Sequence, residues 1–205
     1  MGMPSVMTDA LLVQARVTEG SLLPTLVQRL ENALPNECIT VRAAYSTTQK
    51  QFYAYLYLGK RRQAGADEAA SLQAALQKEF SQLHDLQVSR LEQVFTTDGA
   101  SKGVKPIFHY AVEMDPESGW MPELSQWYDT EHMPGLSKVP GCIRASRFLN
   151  HDHGPLSLAC YDLVSEETLG SPPWLAVRGT PWSDRMRPKF TNTIRTMFRS
   201  WPDAS

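Results

Sequence analysis

The sequence predicts an α+β fold in which the element order βαββαβ runs twice, and three observations carry that reading. Cys38 to Thr47 and Gln51 to Lys60 alternate at period two and read as a hairpin. Leu22, Leu26 and Leu30, and later Leu72, Leu76, Phe80 and Leu83, recur at helical spacing. A second series of strand and helix signals follows the polar run Asp98-Gly99-Ala100-Ser101-Lys102-Gly103.

Taken in order, Leu11 to Val17 is a short strand, and Ser21 is placed to cap a helix through Leu34 with Pro24 tolerated in its first turn. In the hairpin, Tyr53, Tyr55 and Tyr57 fall on one face and Phe52, Ala54, Leu56 and Leu58 on the other. Lys60-Arg61-Arg62 and the Gly65 region read as a polar loop, Asp67 as the cap of the second helix, and Val88 to Thr97 as the last strand of the half. The result is a split βαβ unit over residues 1–98, with 99–104 as a linker. Residues 105–205 form the second unit: strand Ile107 to Met114, a helix from about Met121 to His132, strands Cys142 to Leu149 and Leu156 to Val164, a helical segment, and strand Phe190 to Phe198. No residue-level repeat accompanies it, so the duplication is one of element order.

Composition excludes several functional classes. With 205 residues, 42% of them hydrophobic, the chain can bury a real core, and a net charge of −2 gives no electrostatic reason for a nucleic-acid or anionic-membrane partner. No apolar run approaches the roughly 18 residues of a membrane span, and the first residues lack a secretory pattern, so the expected location is the cytoplasm. Cys38, Cys142 and Cys160 are widely spaced and read as free thiols. Phosphate-loop, dinucleotide-binding, zinc-protease and serine-hydrolase motifs are absent.

The chemistry concentrates in Gly119 to Phe148. Helical spacing puts Trp127 and Glu131 on one face and Tyr128 and His132 on a neighbouring one. Pro134 disfavours helix at Met133, Gly135 can take the positive backbone angle of a helix end, and Pro140-Gly141 makes a turn before the next strand. All five tryptophans and four of the five histidines lie in the second half.

Trp-Tyr-Asp-Thr-Glu-His-Met-Pro, followed by Val-Pro-Gly-Cys-Ile-Arg-Ala-Ser-Arg-Phe, resembles a signature of the dimeric α+β barrel superfamily, closest to its EthD-like members. The resemblance spans Phe108 to Phe198. It implies a ferredoxin-like βαββαβ unit whose antiparallel sheet pairs with a second such sheet, usually from another subunit; with the element order doubled, the two units in tandem would form within one chain the barrel that relatives assemble from two. It also implies a small-molecule pocket. A homodimer and a pseudo-dimeric monomer both satisfy it. Several relatives oxidise or rearrange aromatic or polyketide-like compounds without a prosthetic group, so no cofactor or metal is expected.

The residues supply candidates for such chemistry. His132, near Glu131 and Asp129, is the candidate general base or acid, or a cap of the helix C-terminus. Trp127 and Tyr128 would wall the pocket. Arg144 and Arg147 have opposite strand parity, so at most one faces a given cavity; Arg144, if inward, would bind an anion, and Tyr161 would donate to an oxyanion. His109, mid-strand on a mixed face, would line the barrel or stabilise the interface. His151-Asp152-His153 reads as a turn rather than a metal motif. Two further readings stand beside a monooxygenase, isomerase or EthD-like enzyme. One is a non-catalytic ligand-binding or assembly protein; the other is a haem protein related to chlorite dismutase, with His109 or His132 on the iron.

Overall fold

The computed structural model describes residues 5–33 and 37–201, so Leu34, the expected end of the first helix, lies outside the described residues. The order is β1 (Val6–Arg16), α1 (Leu23–Glu31), β2 (Cys38–Ser46), β3 (Gln51–Ala64), α2 (Ala66–Glu79) and β4 (His84–Asp98). It continues with β5 (Phe108–Pro116), α3 (Met121–Trp127), α4 (Met133–Ser137), β6 (Cys142–Asn150) and β7 (Ser157–Leu163). The last elements are α5 (Pro172–Arg178), α6 (Pro181–Met186) and β8 (Phe190–Trp201). The fold is α+β with antiparallel strand pairing. No helix among the described residues is long and apolar enough to cross a membrane.

The chain forms two compact units. Unit 1 takes the described residues through Gln93, together with Leu149–His153 and residues 199–201. Its central strand is β1, with Leu12 opposite Tyr55 of β3 and Ser89 of β4, and β2 lies beyond β3. The hairpin alternation holds: Phe52, Ala54 and Leu56 join Leu11 and Val13 under Leu26 and Leu30 of α1 and Leu72 and Leu76 of α2. Tyr53 and Tyr55, on the other face, are buried as well.

Three expectations for this half are corrected. Lys60-Arg61-Arg62 is strand, not loop: Arg62 pairs with Thr8 and Ala64 with Val6, and Glu37 and Glu68 hold the Arg62 guanidinium at 2.5 and 2.6 Å. Ser21 sits inside a 3-10 turn, Gly20–Leu22, and caps nothing. Gly65, not Asp67, precedes α2, and its N–H donates to Glu68 Oε1 at 3.2 Å.

Unit 2 takes Val94–Phe148 and Gly154–Phe198. In it β5 pairs with β7, His109 opposite Asp162 and Ala111 opposite Cys160. Val112, Met114, Ala159 and Tyr161 face the helices, where Trp127, Leu136 and Trp174 close the core. The polar run after β4 is tied down: Gly99, Ala100 and Ser101 donate to the carbonyls of Ile143, Ser137 and Cys142 at 2.8–2.9 Å. A Cβ on Gly99 would stand 2.2 Å from the Cys142 carbonyl oxygen, so only glycine permits this approach.

Residues 151–153 are a turn, closed by Asn150 Oδ1 accepting from the Asp152 and His153 amides at 3.1 and 3.2 Å. The turn serves unit 1. Asp152 accepts from Arg90 Nη2 at 2.7 Å, from Nε and from the Arg90 amide, while Nη1 donates to the Ala64 carbonyl. Both side chains are almost fully buried. Burial would push the Asp152 carboxyl up, yet the Arg90 bonds outweigh it and hold the group below its usual range. Removing one member of such a pair strands a buried charge. Asp152→Ala is therefore expected to lower stability by about 3–5 kcal/mol, read by urea denaturation, and the paired change Arg90→Met with Asp152→Leu to recover most of it.

Candidate ligand site

The site begins with a local irregularity. The helix that opens as α3 does not stop at His132 but runs through Pro134 and Gly135 to Ser137. Pro134 has no N–H and crowds the carbonyl one turn earlier. The chain accommodates it with a π turn over Tyr128–His132, in which the Met133 N–H reaches the Tyr128 carbonyl, five residues back. Gly135 is not a helix terminus with a positive angle; a Cβ there would lie 2.8 Å from Val177 Cγ1, so the glycine lets α4 lie against α5. The positive angle falls on Gly141, at φ 96°, behind which Thr168 packs.

The π turn repairs the helix face differently from the expected α spacing. At roughly 100° per residue, positions five apart on an α-helix point about 140° away from each other. In the π turn they stack: the Trp127 and His132 rings lie 4.1 Å apart at 23°. Tyr128 meets His132 edge-on at 5.7 Å and Trp127 at 4.6 Å. Glu131, expected beside Trp127, instead accepts from Thr180 Oγ1 at 2.6 Å.

These rings line a cavity of about 40 Å³ inside unit 2, closed by Tyr110, Tyr161, Trp174 and Phe190. Its charged lining residues are Arg178 on α5, Arg187 after α6 and Arg195 on β8; among the described residues no carboxylate lines it. Burial holds the His132 imidazole down to about 3, and Arg178 and Arg187 add to the effect, so the ring is neutral at physiological pH. Its Nδ1 is buried without a partner among the described residues. Burial pushes the Tyr128 hydroxyl up, against the pull of Arg147 and Arg195. Arg187 is itself ion-paired with Asp184, and a neutral acceptor, aromatic walls and an all-arginine charged lining suit a planar ligand that becomes anionic.

The remaining candidates separate. Tyr161 lines the cavity, but its hydroxyl donates to Met133 Sδ at 3.1 Å and is pushed well up by burial. Arg144 does not join the group: its side chain is 43% exposed and 3.9 Å from Asp98. The strand parity instead buries Arg147, whose Nη2 donates to Asp129 at 3.1 Å and whose guanidinium stands 5.3 Å from the Tyr128 ring centre. His109 lies on the opposite face of β5, with Nδ1 2.9 Å from Asp162 Oδ1. Burial opposes its charge, but the bonds to Asp162 and Cys160 prevail and raise it to about 10. Sequence reasoning missed Trp174, Arg178, Arg187 and Arg195. The spacing of Trp174 and Arg178, four apart on one helix face, was the available signal.

Haem does not fit these residues. His109 is committed to Asp162 and Cys160, and His132 is stacked on Trp127. Purified protein is expected to show no Soret band after incubation with hemin and gel filtration.

The two histidines predict opposite proton linkage. His132, depressed in the fold, lets the unfolded chain take up a proton that the native one refuses, so stability falls as pH drops below about 6.5. His109, raised in the fold, contributes stability fully below about 6.5 and loses it as pH climbs through about 10. Imidazole NMR should show His132 still neutral at pH 5 and His109 still charged at pH 8; titration of either near 6.5 would contradict the burial and bonding described.

No family model matches the sequence, and no curated protein matches it. Solved structures do. An anthrone oxidase-like protein is 10% identical, with a TM-score of 0.64 over 96% of this chain and 94% of its own. A ferredoxin-fold protein from Listeria monocytogenes, related to antibiotic biosynthesis monooxygenases, is 12% identical, with a TM-score of 0.54 over 93% and 94%. A variant of the chlorite dismutase of Candidatus Nitrospira defluvii is 8% identical, with a TM-score of 0.64 over 96% and 93%. The fold of this chain is that of the ferredoxin-like dimeric α+β barrel proteins.

Proposed function

We propose that unit 2 binds a small aromatic compound bearing an acidic O–H or C–H and oxidises it without a prosthetic group, in the manner expected of an EthD-like or monooxygenase-like barrel protein. The observation that carries the reading is the aromatic cavity in which neutral His132 faces a charged lining made of Arg178, Arg187 and Arg195 alone. In the tandem of residues 1–98 and 105–205, the chemistry then belongs to the second half. The likeness to an anthrone oxidase-like protein supports this at the level of fold.

In this reading His132 accepts the ligand's acidic proton. The imidazolium is costly in the empty site but paired in the presence of the ligand anion, so proton transfer is coupled to binding. The arginines stabilise the anion by charge-assisted bonds in a water-poor site. Trp127 and Trp174 hold the ring system flat. The carbanion then gives its electrons to dioxygen, and an activated methylene becomes a ketone. The two C–H bonds of the methylene are lost, one oxygen atom stays on the carbon, and the other leaves with both hydrogens as water. A cavity of about 40 Å³ has room for little more than a water, so entry of a ring system requires side chains from Leu169 to Arg187 to move.

Tryptophan fluorescence titration with anthrone and with 2-naphthol, paired with oxygen uptake, tests the reading. Arg178→Ala and Arg195→Ala are expected to weaken binding about tenfold each, the loss of one bond to a charged group. His132→Ala should abolish uptake and weaken binding, and Tyr128→Phe should weaken binding, with the fold retained. Unchanged affinity in both His132→Ala and Tyr128→Phe, at an unchanged melting temperature, would remove them from the site. Binding without uptake in the unsubstituted protein would leave a ligand carrier.

A further inference from the structure

The face of β5 and β7 turned away from the ligand cavity carries reactive groups that the proposed oxidation does not use. His109 pairs with Asp162 and Ala111 with Cys160, so His109, Asp162 and Cys160 are neighbours on one face. His109 Nδ1 is 2.9 Å from Asp162 Oδ1, and the same imidazole is hydrogen bonded to Cys160. Cys160 is 4% exposed and His109 9%. Phe198 lies against the imidazole, ring centres 6.0 Å apart.

We propose that Cys160 is a peroxide-reactive cysteine, with His109 relaying the proton and Asp162 as the residue that positions His109. A sulfur beside an imidazole that is itself held by a carboxylate is the arrangement that makes cysteine nucleophilic. The sulfur attacks one oxygen of hydrogen peroxide beside the His109 imidazolium, which acts first as a proton donor. An S–O bond forms as the O–O bond breaks; sulfur gives up two electrons and the peroxide accepts them. The departing hydroxide takes a proton from the His109 imidazolium and leaves as water, the neutral imidazole then takes the thiol proton, and Cys160 becomes a sulfenic acid.

Burial selects the reagent. Cys160 as a residue is 4% exposed, which excludes bulky electrophiles and favours a reagent as small as peroxide. Cys142, the other cysteine of unit 2, is packed in the helix-side core, and burial pushes its thiol up to about 12. It has neither the position to close a disulfide with Cys160 nor a comparable reactivity, so the sulfenic acid has no resolving partner in unit 2.

The test is timed oxidation of the folded full chain with hydrogen peroxide, a catalase quench, unfolding in urea with dimedone to trap the sulfenic acid, and peptide mass spectrometry. Cys160 is expected to label about tenfold faster than the partly exposed Cys38, a modest gain for positioned proton transfer. Iodoacetamide, which is bulkier, should reverse that order. His109→Gln should slow Cys160 labelling about tenfold. Asp162→Asn should slow it and move its pH profile, and Asp162→Glu should restore both. Cys160 labelling no faster than Cys38 in the unsubstituted chain would overturn the proposal, and that comparison needs no variant to fold. An unaltered Cys160 rate in natively folded His109→Gln would overturn it equally.

Discussion

The hydrogen bond from the Met133 amide to the Tyr128 carbonyl is the constraint on which the candidate site depends. It exists because Pro134 cannot continue a regular helix, and its effect is to wind five residues into one turn. That winding brings His132 beneath Trp127, turns Glu131 out to Thr180, and leaves Tyr128 between His132 and the Arg147 guanidinium. A regular helix over the same residues would present a different set of groups. The π turn is thus the source of the site's composition, not an ornament on it.

Electrostatics then divides unit 2 by the faces of one sheet. On the helix side a histidine is neutral because it is buried near arginines; on the other a histidine is charged because it is buried beside a carboxylate and a sulfur. The same desolvation acts on both rings, and the partner decides the sign. Period-two alternation is what lets β5 serve both faces, with Tyr110 and Val112 toward the helices and His109 away from them.

The hairpin of tyrosines against Phe52, Ala54 and Leu56 was legible because its alternation is strict and both faces are buried. The length of β3 was not, since Lys60-Arg61-Arg62 has the composition of a loop and becomes strand only by pairing with β1 and by ion pairs to Glu37 and Glu68. In the site, His132, Trp127, Tyr128 and Tyr161 could be picked out by residue type and position. Their pairing could not, because a single i→i−5 bond is invisible to a 3.6-residue period. Parity identified that only one of Arg144 and Arg147 turns inward, without saying which. Arg178, Arg187 and Arg195 come from three elements, and their convergence is a tertiary fact.

The Arg90–Asp152 pair ties the completion of unit 1 to a residue encoded 62 positions later. During synthesis, every strand and helix of the first half leaves the ribosome before its buried guanidinium has the carboxylate that it hydrogen bonds. That bond forms only when the β6–β7 turn arrives. A chain cut between the two halves would lose the partner of a charge it has already placed in its interior.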